Sequence, residues 1–241
     1  MTRIQPGKRW AIPFLLALLS MPMAGLAESW SLNEVNDSLT VRGSTRIVTG
    51  AYAKSLVLKG NSLIELNDSA KLASGAFTLS LWFNPYDLAG GQQMLAGKNR
   101  YSRNERQWSL TIEPNGKLKA FLWQNGWKTI SCPHPLKAGA WHLATLVAEQ
   151  GKAALFLNCK PAGEVKLQTP IAATPSPITL GGIWDRETVR QTFHGALDEF
   201  SHQPRALSAE EVAAAYQPVT ARHAVPKIKA SSPLWDATQT L

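Results

Sequence analysis

The sequence predicts an all-β protein, a two-sheet antiparallel β-sandwich of the jelly-roll type with one short C-terminal helix. Short segments rich in β-branched and aromatic residues follow one another through the body of the chain, and turn residues separate them about every 8–12 positions. No long amphipathic helical pattern interrupts these segments. A chain of 241 residues that is 44% hydrophobic is long enough to fold as one such domain.

Residues 1–27, which precede this body, have the composition of a secretory signal peptide. An apolar run at 10–19 follows a positively charged start, and small residues at Gly25 and Ala27 predict cleavage near Ala27/Glu28. The apolar run is too short for a permanent membrane-spanning helix. We therefore expect a secreted or periplasmic protein, with an uncleaved anchor as the alternative.

The charge and cysteine content exclude several classes of protein. The formal net charge of +8 would suit a nucleic-acid partner, but the predicted signal peptide carries three of the basic residues. Export also disfavours nucleic acid. Two cysteines are too few for a disulfide-dense scaffold or a four-ligand zinc cluster. In an oxidising compartment, Cys132 and Cys159 are expected to form one disulfide, with two buried free thiols as the alternative.

The first part of the body contains four predicted strands, at 55–58, 63–66, 77–83 and 107–113. A Gly-Asn pair at 60–61 marks the turn between the first two strands, and Asn-Pro at 84–85 ends the third. The fourth segment alternates between apolar and polar residues and stops at the Pro-Asn-Gly turn of 114–116.

The second part of the body contains six more predicted strands, at 117–123, 127–131, 141–147, 154–157, 178–180 and 193–201. Gln-Asn-Gly at 124–126 and Gln-Gly-Lys at 150–152 are the expected hairpin turns, and the glycine pair at 181–182 ends the fifth strand of this group.

A short helix is expected after the strands, at 208–216. Ser208 as N-cap and Glu211 three residues later form a capping box. The helix should lie against the sandwich through Leu207, Val212 and Tyr216. Residues 217–241 contain three prolines and few apolar residues, which is typical of a linker or a loosely docked tail.

Several segments of the body carry a recognisable family pattern: WSLNEVNDSL at 30–39, VTGAYAKSLVLKGNSLIEL at 48–66, FTLSLWFNP at 77–85, AGAWHLATLV at 138–147, AALFLNCKPAG at 153–163 and FHGALDEFSHQPRALSAEEVAAAY at 193–216. Their order and spacing resemble the LamG-like jelly-roll domains of the concanavalin A-like lectin/glucanase superfamily, over residues 28–216. Cys159 stands where that family usually has the glycine of an Asp-Gly turn. The resemblance implies a fold and no particular chemistry, since this fold hosts lectins, glycosidases and spacers.

The resemblance also implies a structural Ca²⁺ site. Asp198 matches an aspartate of the family's last strand, and Gly60 matches a turn that supplies backbone carbonyls, which are suitable Ca²⁺ ligands. Lys59 beside that turn argues against a cation. The alternative is that Asp198 only accepts hydrogen bonds from backbone amides.

Catalysis is not expected from this chain. Glycosidases use two carboxylates that flank the scissile bond, and related jelly-roll glucanases carry them as E-x-D-x-x-E, which is absent from the sequence. Asp198 and Glu199 are adjacent on a predicted strand, so their side chains should point to opposite faces. At most, the chain is the accessory domain of a glycoside hydrolase.

The tryptophans suggest where a sugar would bind. Trp30, Trp82 and Trp141 match packing positions of the family, whereas Trp108, Trp123, Trp127 and Trp184 are free for another role. Exposed indoles stack on sugar rings, and polar neighbours orient the ligand. We expect the glycan site at loops that carry Trp127 and Trp184, with the polar and aromatic partners Tyr101, Arg103, Arg106, Asp185 and Arg186. The alternative is that these rings pack on the sandwich or beneath a partner.

A basic loop is predicted in the same region, composed of Lys98, Arg100, Arg103 and Arg106. It would suit an anionic polysaccharide. The sequence thus predicts an exported, non-catalytic carbohydrate-binding module. The alternatives are an N-terminal accessory domain fused to or associated with a catalytic domain, and a structural domain that binds protein.

Overall fold

Two antiparallel sheets face each other in the computed structural model, which describes residues 27–72 and 75–214. The strands in chain order are β1 (Glu28–Trp30), β2 (Leu39–Arg42), β3 (Thr45–Thr49), β4 (Lys54–Leu58), β5 (Leu63–Leu66), β6 (Phe77–Pro85), β7 (Gln93–Arg100), β8 (Glu105–Ile112), β9 (Lys117–Trp123), β10 (Trp127–Pro135), β11 (His142–Glu149), β12 (Lys152–Leu157), β13 (Lys160–Lys166), β14 (Ile178–Leu180), β15 (Ile183–Asp185), β16 (Thr188–Arg190) and β17 (Gly195–Gln203). Single 3₁₀ turns lie at Ser69–Lys71 and Tyr101–Arg103.

The first sheet has the strand order β13-β12-β11-β6-β17-β4-β3, with β1 paired to β17. The second sheet has the order β10-β9-β8-β7-β14-β5-β2, and β15 and β16 form a separate hairpin. The predicted all-β sandwich is confirmed. The predicted signal peptide, except Ala27, and the predicted tail at 217–241 lie outside the described residues.

The core lies between the two sheets because apolar residues alternate along the strands. On β6, Phe77, Leu79, Leu81 and Phe83 point into this core. Trp82 lies between them in sequence and points to the outer face of the first sheet, where it packs with Trp141 and Val57. Trp82 and Trp141 are therefore packing residues, as predicted, although not between the sheets.

One short helix begins at residue 209 and is described to residue 214. The predicted capping box is present, since the Glu211 N–H donates to Ser208 Oγ at 3.1 Å and the Ser208 N–H donates to the Glu211 carboxylate at 2.8 Å. Leu207 and Val212 pack on Val147 and Phe156 of the first sheet. The predicted contact of Tyr216 lies outside the described residues. No helix in the described ranges is long and apolar enough to cross a membrane.

The structure contradicts the predicted disulfide, because both cysteines are free. Strand β10 turns Cys132 into the core between the sheets, where it is 3% exposed. Cys159 lies in the β12–β13 turn and packs against the cluster on the outer face of the first sheet. The two thiols therefore lie on different sides of the first sheet.

Candidate functional site

The outer face of the second sheet carries the aromatic side chains that the interior does not use. On β9, Leu118, Ala120 and Leu122 are fully buried in the core. The intervening residues are half-buried and point outward, among them Phe121 and Trp123. The two-residue period of the strand thus places one set of side chains in the core and the other on an accessible surface.

Four rings on this face form a cluster that we call the aromatic platform: Tyr101, Phe121, Trp123 and Trp127. Trp127 is the central ring, with centroid distances of 5.1 Å to Trp123, 5.9 Å to Phe121 and 6.4 Å to Tyr101. All three contacts are edge-to-face. Trp123 and Trp127 are directly opposite each other across the β9–β10 hairpin, which fixes their contact.

Two cations border the aromatic platform. The guanidinium of Arg106 lies 5.0 Å from the ring centroid of Trp123 and 5.7 Å from that of Tyr101. Lys119 Nζ lies 4.8 Å from the ring of Phe121 and 3.8 Å from the carboxylate of Glu113. Each cation is within the range of a cation–π contact. The platform therefore joins apolar ring surface to positively charged hydrogen-bond donors.

A polar row continues from the platform along the second sheet. The Glu113 carboxylate accepts hydrogen bonds from Thr111 Oγ1 at 2.8 Å and Gln92 Nε2 at 2.6 Å. Gln92 in turn accepts a hydrogen bond from Gln191. These contacts fix the side chains beside Lys119 and provide oriented polar groups next to the rings.

Tyr101 reaches the platform because a 3₁₀ turn follows β7. Asn104 ends this turn in the left-handed conformation at φ 58°, which asparagine tolerates better than most residues. Asp185 anchors the turn through hydrogen bonds from Ser102, one of them from the backbone N–H at 3.0 Å. Burial raises the pKa of Tyr101, and a hydrogen bond with Ser109 opposes this rise. The phenol therefore stays neutral.

Comparison with known families decides the classification. Residues 58–213 match the Laminin_G_3 family, which is described as part of the concanavalin A-like lectin/glucanases superfamily. The chain belongs to the concanavalin A-like lectin/glucanase superfamily. No curated protein matches the chain.

Solved structures with the same fold include two modules bound to sugars. The sialidase CBM40 module of Ruminococcus gnavus, with α2,3-sialyllactose, is 18% identical at a TM-score of 0.58, and the match covers 67% of this chain and 95% of that chain. Domain 4 of AbnA, an extracellular GH43 arabinanase of Geobacillus stearothermophilus, was solved with arabinotriose. It is 19% identical at a TM-score of 0.59, and the match covers 80% of this chain and 89% of that chain. The binding domain of Paraclostridial Mosquitocidal Protein 1 is 19% identical at a TM-score of 0.61, and the match covers 75% of this chain and 47% of that chain. These likenesses show a shared fold.

The structure of this concanavalin A-like domain brings together three of the predicted site residues, namely Tyr101, Arg106 and Trp127. Trp123, which the sequence left unassigned, joins them, whereas Trp108 is buried in the core against Phe77. Phe121 and Lys119 were missed by the sequence reasoning. The two-residue period of β9 could have identified them, because both lie at positions that alternate with the core residues Leu118, Ala120 and Leu122.

The other predicted site residues lie elsewhere. Arg103 and Arg186 are exposed at turns. Asp185 is buried and anchors Ser102, so its role is structural. Trp184 contacts Arg42 at 4.2 Å, away from the platform. The predicted loop that carries Trp184 is in fact the β15–β16 hairpin.

The predicted basic loop is wrong. Lys98 lies on β7 and is completely buried, and its Nζ donates to the carbonyls of Ser69 and Ala70 at 3.1 Å and of Ser176 at 2.6 Å. Burial lowers the pKa of Lys98 to about 8, and Glu105 opposes this change. Arg100 forms an ion pair with Glu65 at 3.6 Å. Neither side chain offers a free charge to a polysaccharide.

The predicted Ca²⁺ ligands Gly60 and Asp198 do not come together. Leu197 pairs with Leu56 of β4, so Asp198 lies beside Ser55. Gly60 is five residues further along the chain, past the end of β4, and five extended residues span about 16 Å. Asp198 Oδ2 accepts a hydrogen bond from the Tyr52 N–H at 2.8 Å, as the alternative interpretation expects. Burial raises the pKa of Asp198 to about 7. Among the described residues, no group of three or more His, Cys, Asp or Glu side chains could hold a metal.

Proposed function

We propose that the protein is an exported, non-catalytic carbohydrate-binding module that holds a sugar ring on the aromatic platform. The observation that carries this proposal is the cluster of Tyr101, Trp123 and Trp127 on an outer sheet face, bordered by Arg106. Ring faces supply apolar contact to the C–H groups of a sugar, while neighbouring donors orient its hydroxyls.

The shape of the platform suits a polysaccharide better than a small enclosed ligand. Three of the half-buried rings, Phe121, Trp123 and Trp127, lie side by side on two neighbouring strands of the sheet. Rigid strands hold the rings in place before a ligand arrives, which reduces the entropy lost on binding. The half-buried Gln92 and Glu113 of the polar row extend beyond Lys119, so a chain of several sugars could contact both the rings and these two side chains.

The similar structures support this proposal at the level of class. One was solved with α2,3-sialyllactose and another with arabinotriose. The signal-peptide pattern at 1–27 supports export to a place where extracellular polysaccharides occur.

Binding to a glycan array, followed by calorimetry on the best ligand, tests the proposal. We expect Trp127→Ala and Trp123→Ala to weaken binding at least about tenfold, because central aromatic contacts dominate such interfaces. Ile47→Ala is the matched control, since Ile47 is an exposed apolar residue on the first sheet. Failure of the wild-type protein to bind any glycan, or unchanged affinity of both tryptophan variants, would contradict the proposal.

A second candidate is an accessory role beside a catalytic domain. Two of the similar structures are domains of a sialidase and an arabinanase. In this version the platform would bring a separate catalytic domain to its polymer. The reading frame beyond codon 241, and the genes next to it, test this version.

A further inference from the structure

Arg42 and Trp184 form a contact that the platform does not explain. Arg42 is the last residue of β2, which is the edge strand of the second sheet. Its guanidinium carbon lies 4.2 Å from the ring centroid of Trp184, on the β15–β16 hairpin. This is the shortest of the cation–π distances given above, and the indole holds the guanidinium in a fixed plane.

The guanidinium of Arg42 has no hydrogen-bond or ion-pair partner within the described part of the chain. Its Nε is shielded from solvent and unpaired. Glu65, on the neighbouring strand, is paired with Arg100 instead. The two terminal amino groups of the guanidinium are not shielded in this way, so they are the donors that a ligand from outside can reach.

A cleft of about 640 Å³ opens beside this pair. Its walls include Asn61, Glu187 and Thr188, besides Arg42 and Trp184. This volume falls within the range of small-molecule sites. Asn61 and Thr188 can form hydrogen bonds with hydroxyl groups.

Both walls of the cleft are held rigidly. Gly43 allows the turn after β2 to approach β5, because a Cβ there would lie 2.5 Å from the Asn61 carbonyl oxygen. Ser62 Oγ lies 2.6 Å from the Ser44 carbonyl, to which it donates. On the other side, the Asp185–Ser102 hydrogen bonds fix the turn end of the β15–β16 hairpin. The cleft is therefore pre-organised.

We propose that this cleft is a second ligand site, which binds the carboxylate of an acidic sugar through Arg42. The planar guanidinium fork matches a planar carboxylate in a bidentate arrangement. Asn61 and Thr188 take the sugar hydroxyls, and Glu187 opposes the anion and limits its affinity. That the ligand is a sugar rests on the proposed function. That it carries a carboxylate rests on Arg42 alone.

The second site is distinct from the aromatic platform. Arg42 on β2 and Trp123 on β9 are separated by five strand spacings in the second sheet, or about 24 Å at the usual spacing, although the Asp185–Ser102 hydrogen bonds join the hairpin of Trp184 to the turn of Tyr101. A long acidic polysaccharide could contact both Arg42 and Trp123, but a single sugar could not. The two sites can therefore be tested separately with monosaccharides.

The experiment is an NMR titration that follows the tryptophan indole N–H resonances with two probes, sodium galacturonate and its methyl ester. A Trp184→Phe variant assigns the resonance of Trp184. We expect galacturonate to shift the Trp184 resonance and the uncharged ester to leave it in place. Arg42→Gln should weaken this binding about tenfold or more, since hydrogen bonds to charged groups are strong. Glu187→Gln should tighten it roughly two- to threefold by removing a repulsive charge.

Three outcomes overturn the proposal: no shift of Trp184 with galacturonate, an equal shift with the ester, or full retention of binding in Arg42→Gln with an unchanged melting temperature. Trp127→Ala separates this inference from the proposed function, because it should leave the galacturonate effect on Trp184 intact. A protein that binds galacturonate at Trp184 but no glycan at the platform would refute only the proposed function. The reverse result would refute only the second site.

Discussion

Asp185 accepts two hydrogen bonds from Ser102, one from its backbone N–H at 3.0 Å and one from its hydroxyl. The first residue belongs to the β15–β16 hairpin and the second to the turn that carries Tyr101. This contact therefore joins the hairpin that supports Trp184 to the turn that supplies one ring of the aromatic platform.

We expect Asp185→Ala to reduce glycan binding although Asp185 does not contact the platform. Without its carboxylate, the Ser102 N–H loses its acceptor and the turn of Tyr101 loses its anchor. Affinity should fall about fivefold to tenfold, since part of the stabilisation from the two lost charge-assisted hydrogen bonds is needed to hold Tyr101 in place. Calorimetry and thermal unfolding check this expectation. Affinity equal to wild type in a folded variant would show that the anchor does not position Tyr101.

Lys98→Met should destabilise the fold. The substitution removes the donor to three carbonyls, of which those of Ser69 and Ser176 are buried and that of Ala70 is partly buried. We expect a loss of about 2–4 kcal/mol in the free energy of unfolding, because buried acceptors left unpaired are costly. Urea denaturation measures it, with the exposed Lys166→Met as the control. A loss no larger than that of the control would mean that the carbonyls find other donors.

His202 should stabilise the fold less as the pH drops from about 6.5 towards 4, whereas Asp198, whose pKa burial raises to about 7, changes stability in the opposite direction over this range. Burial lowers the pKa of His202 to about 4, with a further contribution from the charge of Lys98. In the unfolded chain the pKa is near its ordinary value of about 6.5, so the unfolded state takes up the proton first. The stabilisation is present above pH 6.5 and is lost as the pH falls through 4, up to about 3 kcal/mol.

His202→Leu should remove this contribution, so that towards pH 4 the variant loses stability relative to pH 7 less than the wild type does. Urea denaturation at several pH values between 7 and 4 measures the effect, and the exposed His134→Gln serves as the control. An equally steep acid slope in His202→Leu would assign the loss of stability to other groups.

When the protein is unfolded and no reductant is added, both thiols should react with iodoacetamide, because both are free in the folded protein. In the native state Cys159, which is half-buried, should react faster than Cys132, which lies in the core. Intact-mass spectrometry measures the number of labels. A mass two hydrogens short, with no labelling, would establish the disulfide that the structure lacks.

The sequence is sufficient to predict the sandwich and to select Trp127 on β10 as a site residue. It did not identify Phe121 and Lys119, which complete the platform. The alternation on β9 and the capping box of Ser208 and Glu211 are local patterns, and both are present in the structure. The burial of Lys98 is not local, because its three acceptors come from distant segments that only the fold brings together.

The β15–β16 hairpin was also missed, for a different reason. Its turn consists of Arg186 and Glu187, both at positive φ, without the glycine or asparagine that normally marks such a turn. The contact between Arg42 and Trp184 joins residues far apart in sequence, and no periodic pattern indicates it. The disulfide failed because an even cysteine count says nothing about which side of a sheet each thiol faces.

The first sheet carries both ends of the described chain, which affects how the candidate binding surfaces would be oriented relative to an attached domain. Strand β1 pairs with β17, and the helix at 209–214 packs on β11 and β12, so both ends of the described chain attach to the first sheet. The aromatic platform and the Arg42 cleft belong to the second sheet. A domain attached directly at either of these ends would therefore lie on the side of the first sheet, and the binding surfaces of the second sheet would stay accessible to a ligand.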